Sequence, residues 1–213
     1  MEEIMAATKA FALIMVIIVV SFLGFCVENV FISLNHGFVD NRNMVLPFLL
    51  GYGLAILAYY LLFGTPQNPL FFGTPISFST SLKSTLYCFV ISFIGVSIGE
   101  IILGYATEWC CGIVWWNYSQ IPMHITKYTS VPTSLAFATL ITVFMKYMFS
   151  PLISLFSKIN PEILGFLSVL LLFLLSLDAI NSALYMFKNH STLNIWRFNI
   201  NNISELMSKR RQQ

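Results

Sequence analysis

Three acidic residues stand inside long apolar runs of this sequence, where carboxylates are rare and need a local reason. They are Glu28, Glu100 and Asp178. Each acid costs about 2.5–3.5 kcal/mol at the centre of a membrane-spanning helix, so the three together cost roughly 8–10 kcal/mol. Such side chains can bind a cation, carry a proton or, when protonated, donate a hydrogen bond. We therefore predict an intramembrane polar site, with protonated helix-to-helix hydrogen bonding as the alternative for Glu28 and Asp178.

The three acids are predicted to lie at a similar depth. Each belongs to an odd-numbered span of the five proposed below, and odd-numbered spans run in the same direction. Glu28 lies about six residues past the middle of its span, Glu100 about four and Asp178 about three. At about 1.5 Å per residue, all three lie roughly 5–9 Å from the midplane, in the same half of the bilayer. This indicates one shared polar site.

Two predicted loops face that half of the bilayer. The first holds Arg42, the one cation placed to pair with the acids, because no lysine or arginine lies deep in a span. The second follows the end of the third span and is rich in aromatic residues. The complete candidate site is Glu28, Arg42, Glu100, Glu108, Trp115, Trp116, Tyr118 and Asp178. Two alternatives stay open: Glu108 can be interfacial, and the aromatic residues can form an interfacial belt.

The composition places the chain among multi-spanning membrane proteins. Of 213 residues, 57% are hydrophobic and 9% are charged, whereas a soluble domain has about a quarter charged. We predict an all-α integral membrane bundle over residues 1–188 and a polar C-terminal tail over 189–213. The predicted spans are about 10–34, 45–63, 84–108, 131–152 and 163–187. A sixth span would require the Pro- and Gly-rich segment after residue 63 to re-enter the membrane.

The charged residues and cysteines limit the partners. The net charge is +2, and the basic residues are scattered singly until Lys209-Arg210-Arg211, a cluster expected at an anionic membrane surface. This indicates a lipid bilayer as the partner, with no nucleic acid, and the same cluster favours a cytoplasmic C-terminus. The four cysteines lack the spacing of a zinc site, so we predict no metal and no cofactor.

Small and polar residues repeat at helical spacing near the acids. Gly95 and Gly99 are four apart, a pattern that predicts close helix approach. Asp178, Asn181, Ser182 and Tyr185 predict a polar stripe along the fifth span. We expect these faces to point into the bundle.

With these motifs in view, the chain resembles a bacterial family of small membrane proteins described as type IV ABC-transporter permeases. The resemblance runs from about residue 21 to residue 151. It is carried by Gly24 to Glu28, Asn41-Arg42, Pro47, Gly51-Tyr52-Gly53, Glu100, Glu108 and, most specifically, Trp115-Trp116-Asn117-Tyr118-Ser119. The resemblance implies a membrane component of a transporter that works with a separate ATPase or another membrane subunit.

The chain departs from that family at several positions. The family usually has Arg-Gly where Arg42-Asn43 stands, and Trp-Asp-Tyr where Trp116-Asn117-Tyr118 stands. An expected Asn-Leu-Asn-Gly-Arg segment is replaced by residues 123–127. The loss of one acid and one arginine together indicates that an ion pair of the family is missing here.

Three functions remain in view. The first is a transporter component with an acidic intramembrane site, for which uncompensated acids favour a cationic solute or proton coupling. The second is a non-catalytic scaffold or sensor in which the acids hold helices together. The third is a membrane-embedded enzyme acting on a lipid or isoprenoid, with a glutamate as general acid. The sequence lacks the GxxxxGK[ST] motif, so ATP hydrolysis would need another chain.

Overall fold

Helices dominate the structure. The computed structural model describes residues 2–200, with side chains from Met5 onward. The helices are α1 (Glu2–His36), α2 (Leu50–Phe63), α3 (Ser81–Cys111), α4 (Val131–Val143), a π-helix (Phe144–Met148), α5 (Phe149–Phe156) and α6 (Pro161–Asn189). Three antiparallel strand pairs join β1 (Phe38–Asp40) to β6 (Arg197–Asn199), β2 (Leu70–Phe71) to β3 (Thr74–Pro75), and β4 (His124–Thr126) to β5 (Thr129–Ser130). The predicted all-α membrane fold is confirmed.

Local sequence signals set several helix ends. The Thr80 side chain accepts a hydrogen bond from the Lys83 amide at the start of α3, and Gly112 ends α3 in the left-handed conformation. Ser130 caps α4 in the same way through the Thr133 amide. Asn160 caps α6 directly before Pro161, whose missing N–H costs nothing at a first helical position.

Four helices of the described residues are long and apolar enough to cross a membrane, whereas five or six spans were predicted. The four are Met5–His36, Ser81–Cys111, Val131–Phe156 and Pro161–Asn189. The predicted second span is the shorter helix α2, whose 14 residues reach about 21 Å against a hydrocarbon core of about 30 Å. The Pro- and Gly-rich segment forms the β2–β3 hairpin and adds no sixth span.

The second span is shorter than predicted because its first residues are bonded elsewhere. Both carboxylate oxygens of Asp178 accept backbone amides, from Val45 at 2.9 Å and Leu46 at 2.8 Å. The Leu49 amide donates to the Ser21 carbonyl at 2.9 Å. These amides are therefore held in a loop on α1 and α6, and the helix begins only at Leu50.

The start of the C-terminal tail packs on the same loop. In the β1–β6 pair, Phe38 lies opposite Asn199 and Asp40 opposite Arg197. The Asn41 amide nitrogen donates to the Leu193 carbonyl at 2.9 Å, and its oxygen accepts the Ile195 amide at 3.1 Å. Residues up to 200 thus cover the Arg42 loop, while the basic cluster Lys209-Arg210-Arg211 lies outside the described residues.

Glycines play two different parts in the packing. A Cβ at Gly104 would overlap the Tyr128 ring, so α3 needs glycine where the β4–β5 hairpin crosses it. A Cβ at Gly95 or Gly99 would meet nothing within 4 Å. The prediction of close helix approach at Gly95 and Gly99 is therefore wrong, because both glycines border open space.

We expect Gly104→Ala to lower the stability and Gly99→Ala to leave it unchanged or slightly raised. At position 104 the added methyl overpacks against Tyr128, which costs about 1–3 kcal/mol and outweighs the better helix propensity of alanine, about 1 kcal/mol. At position 99 the added methyl meets no neighbour, so only the better helix propensity of alanine changes the stability. Thermal unfolding of the purified protein in detergent measures both. Equal melting temperatures for the two variants would contradict the packing seen around Gly104.

We expect Asp178→Ala to destabilise the protein by about 1–3 kcal/mol, because the Val45 and Leu46 amides lose their buried acceptor. Asn181→Ala is the matched control, since Asn181 lies on the same helix and is exposed. Surface changes of that kind usually stay within about 0.5 kcal/mol. Denaturation followed by tryptophan fluorescence gives the comparison, and equal loss in both variants would rule out the anchoring role.

Candidate functional site

Glu28 lies at the meeting point of α1, α2 and the loop between them. The Tyr52 hydroxyl donates to one of its carboxylate oxygens, and the Arg42 guanidinium donates to the other at 3.1 Å. A Cβ at Gly24 would overlap the Tyr52 ring. Because Gly24 precedes Glu28 by four residues, the two lie on one face of α1, and the missing side chain lets Tyr52 reach the acid.

Arg42 continues a chain of alternating charges away from Glu28. It adopts the left-handed backbone conformation at φ 49°, and its guanidinium lies 3.7 Å from Asp40. Asp40 in turn accepts from Arg197 of β6 at 3.4 Å. Two acids and two arginines therefore balance one another at the membrane end of the loop, and the predicted pairing of Arg42 with an intramembrane acid is present.

Glu100 has a different environment. The Thr129 hydroxyl donates to its carboxylate at 2.7 Å, and Thr129 lies 3.0 Å from the Ser134 hydroxyl. Tyr118 borders the same cavity as Glu100. Within residues 2–200, no lysine or arginine lies within 4 Å of this carboxylate. Glu100 is thus held by hydroxyl groups, and its charge has no partner in the described part of the chain.

The aromatic residues of the loop after α3 are fixed by their own hydrogen bonds. The Trp116 indole donates to the Tyr128 carbonyl at 2.9 Å, and the Tyr118 amide donates to the Lys127 carbonyl at 2.7 Å. The Trp115 and Trp116 rings lie 5.9 Å apart, edge to face. Burial raises the pKa of Tyr118 well above its usual value, so its hydroxyl remains a donor at any physiological pH.

Two cavities meet at these side chains. The inner cavity, about 370 Å³, lies between α2, α3 and α4 and is lined mainly by apolar residues. The outer cavity, about 560 Å³, lies among the end of α1, the Arg42 loop, the loop after α3 and the tail, and it is lined by many polar residues. Both cavities are bordered by Glu28, Arg42, Trp115, Trp116 and Tyr118, whereas Glu100 borders the inner one. We call these six residues the junction cluster.

Two of the sequence-derived candidates border neither cavity. Asp178 is the anchor of the loop before α2. Glu108 accepts hydrogen bonds from Lys127 at 2.6 Å and from the Tyr128 hydroxyl at 2.8 Å. The hydrogen bond with Glu108 raises the pKa of Lys127. Both acids therefore hold loops on helices, and of the predicted site the structure brings together the six residues of the junction cluster.

Sequence reasoning missed Tyr52 and Thr129, the two hydroxyl donors to the junction acids. Tyr52 had a usable signal, because a tyrosine inside an apolar helix needs a partner for its hydroxyl. Thr129 stands in a polar loop and carries no such signal. The described residues contain no group of three or more His, Cys, Asp or Glu side chains that could hold a metal ion.

Comparison with known proteins identifies the family of the chain. Searches of the curated proteins and of the solved structures gave no match. The model of one family, described as "Putative ABC-transporter type IV" (ABC_trans_CmpB), matches residues 15–183. That range contains α2, α3 and α4 whole, most of α1 and α6, and every residue of the junction cluster. The chain belongs to the type IV ABC-transporter family of membrane proteins.

Proposed function

We propose that this protein is the membrane component of a transporter and that its solute binds at the junction cluster. The observation that carries the proposal is the shared border of the two cavities. A polar outer cavity and an apolar inner cavity on either side of one set of charged and aromatic residues give a solute two routes to the same site. Ligand sites of this kind combine an apolar lining with a few fixed polar groups.

The charges of the junction cluster favour a cationic solute or a proton. Glu28 and Asp40 are balanced by Arg42 and Arg197, so this chain of four contributes no net charge. Glu100 adds a carboxylate that hydroxyl groups alone support. A carboxylate at membrane depth is costly when it stays ionised without a partner. A bound cation or a proton removes that cost, and an anionic solute would increase it.

A transporter of this kind needs a partner that hydrolyses ATP, because the sequence contains no P-loop motif. The proposed location is the cell membrane of a bacterium, with the C-terminus on the cytoplasmic side, where the terminal basic cluster meets anionic lipid. The family membership supports a multi-subunit assembly.

The scaffold alternative has support at two positions only. Asp178 and Glu108 each hold a loop on a helix, as expected for acids that serve the fold. The enzyme alternative needs a glutamate as general acid at a cavity, and Glu28 and Glu100 border the inner cavity, so the geometry by itself does not separate the enzyme from the transporter. Glu100 distinguishes the transporter from the scaffold, since its carboxylate faces a cavity and its neighbours leave its charge unpaired.

We expect a tagged copy purified from native membranes in mild detergent to bring down an ATPase in stoichiometric amount. Glu100→Gln should retain that ATPase, because glutamine keeps an acceptor for Thr129 and leaves the packing intact. Quantitative mass spectrometry of the purified material makes the measurement, with an unrelated tagged membrane protein of the same host as control. Recovery of the protein without an ATPase would remove the transporter proposal and favour the scaffold.

A further inference from the structure

The inner cavity is open at the protein surface between α2 and α3. Gly51 and Ala55 on α2 and Gly95 and Leu103 on α3 border the cavity, and all four are exposed. Neither Gly51 nor Gly95 has an atom within 4 Å of the place where a Cβ would stand. Absent side chains thus create the opening. Gly95 lies near the middle of α3, which is long and apolar enough to cross a membrane, so in that arrangement the opening would face the acyl chains of the bilayer.

The polar end of this cavity suits a cationic group. Glu100 lies there with hydroxyl partners and no lysine or arginine within 4 Å in the described range. Trp115, Trp116 and Tyr118 border the same cavity, and the face of an aromatic ring attracts an ammonium group by about 0.5–2 kcal/mol in general. The positive charge of Arg42 is offset by Glu28 and Asp40, so it does not exclude a second cation.

Arg42, which borders both cavities, carries one donor without a partner among residues 2–200. The Arg42 Nε–H is buried and has no acceptor among residues 2–200. A buried guanidinium donor without a partner is costly, and a ligand oxygen would satisfy it. Arg42 borders the inner cavity together with Glu100. The cavity therefore offers an acceptor for an ammonium group, a donor for an oxygen and an apolar wall for a hydrocarbon chain.

We propose that the inner cavity binds an amphiphile with an ammonium group and an acceptor oxygen in its head group, as in an aminophospholipid. The ammonium group pairs with Glu100, the oxygen accepts from Arg42 Nε, and the chain lies along the glycine-bordered wall between α2 and α3. The volume of about 370 Å³ is at the small end of ligand cavities and suits a single chain inside the protein. This inference rests on the proposed function, because it names the solute class of that site.

The test is direct binding to the purified full chain in dodecyl maltoside micelles, whose neutral head group carries no ammonium group, read by native mass spectrometry and by tryptophan fluorescence. Lysophosphatidylethanolamine is the probe, and lysophosphatidylglycerol with the same acyl chain lacks the amine. Glycerophosphoethanolamine supplies the head group without the chain. We expect saturable binding of the first probe at least tenfold tighter than of either other probe. Equal binding of the glycerol lipid would overturn the role of Glu100, and equal binding of the free head group would make the ligand a soluble amine.

Variants of the protein locate the site. Glu100→Gln should weaken binding of the amine lipid about tenfold or more, since a charge-assisted contact becomes a neutral one, and leave the weak binding of the glycerol lipid unchanged. Gly99→Leu should weaken binding by filling the cavity, with Gly95→Leu as a second filling variant. Ala183→Leu is the control, because it adds similar apolar volume at an exposed position on α6. Unchanged affinity in the glutamate variant and both filling variants would overturn the proposal.

The outcomes for the site and for the transporter can be told apart. Glu100-dependent lipid binding without an ATPase in the purified material would keep the lipid site and remove the transporter function. An ATPase partner without lipid binding would keep the transporter and remove the lipid site. Thermal unfolding of each variant before the binding measurement separates loss of the site from loss of the fold.

Discussion

A carboxylate in an apolar medium needs a cation, a proton or several hydrogen-bond donors, and this requirement governs the arrangement of the whole bundle. Asp178 uses two backbone amides, and in doing so it fixes the loop before α2 on α6. Glu28 uses a phenol and a guanidinium, and so ties α1 to α2 and to the same loop. Glu108 uses Lys127 and Tyr128, which holds the β4–β5 hairpin on α3. Each acid thereby determines where one loop lies.

Glu100 differs from the other three because its partners are hydroxyl groups. Thr129 orients the carboxylate without neutralising it, and Thr129 itself lies 3.0 Å from the Ser134 hydroxyl. The packing around it is also incomplete: α3 packs on α4, α1 packs on α2, and the inner cavity lies between these two pairs. An acid without a charge partner and an unfilled cavity beside it both lower the stability of the fold. The combination is expected of a ligand site.

Glycine has two opposite effects on the packing of this protein. Gly24 and Gly104 make room for tyrosine rings that bring hydroxyl groups to Glu28 and Glu108. Gly95 and Gly99 border the cavity and meet no neighbour. In the first pair glycine allows tight packing around an acid; in the second it prevents packing beside one. The spacing to the acid differs in the two cases: the first pair precedes its acid by four residues, and the second precedes Glu100 by five and by one. The four-residue spacing places glycine and acid on one face of a helix, so it was a usable signal for packing around the acid.

The sequence by itself determined the membrane class, the four long helices and the shared neighbourhood of Glu28, Arg42 and Glu100, because hydropathy and the depth of an acid in its span are local properties. Only the tertiary structure decided which hydrogen-bond donors and which cations each acid has as partners. Asp178 accepts the amides of Val45 and Leu46, which precede it by 133 and 132 residues along the chain. No local pattern of the sequence encodes a contact over that separation. The same contact removes five residues from the predicted second span. Long-range hydrogen bonds thus determined both the length of α2 and which acid, Glu100, borders the inner cavity with a hydroxyl group as its donor.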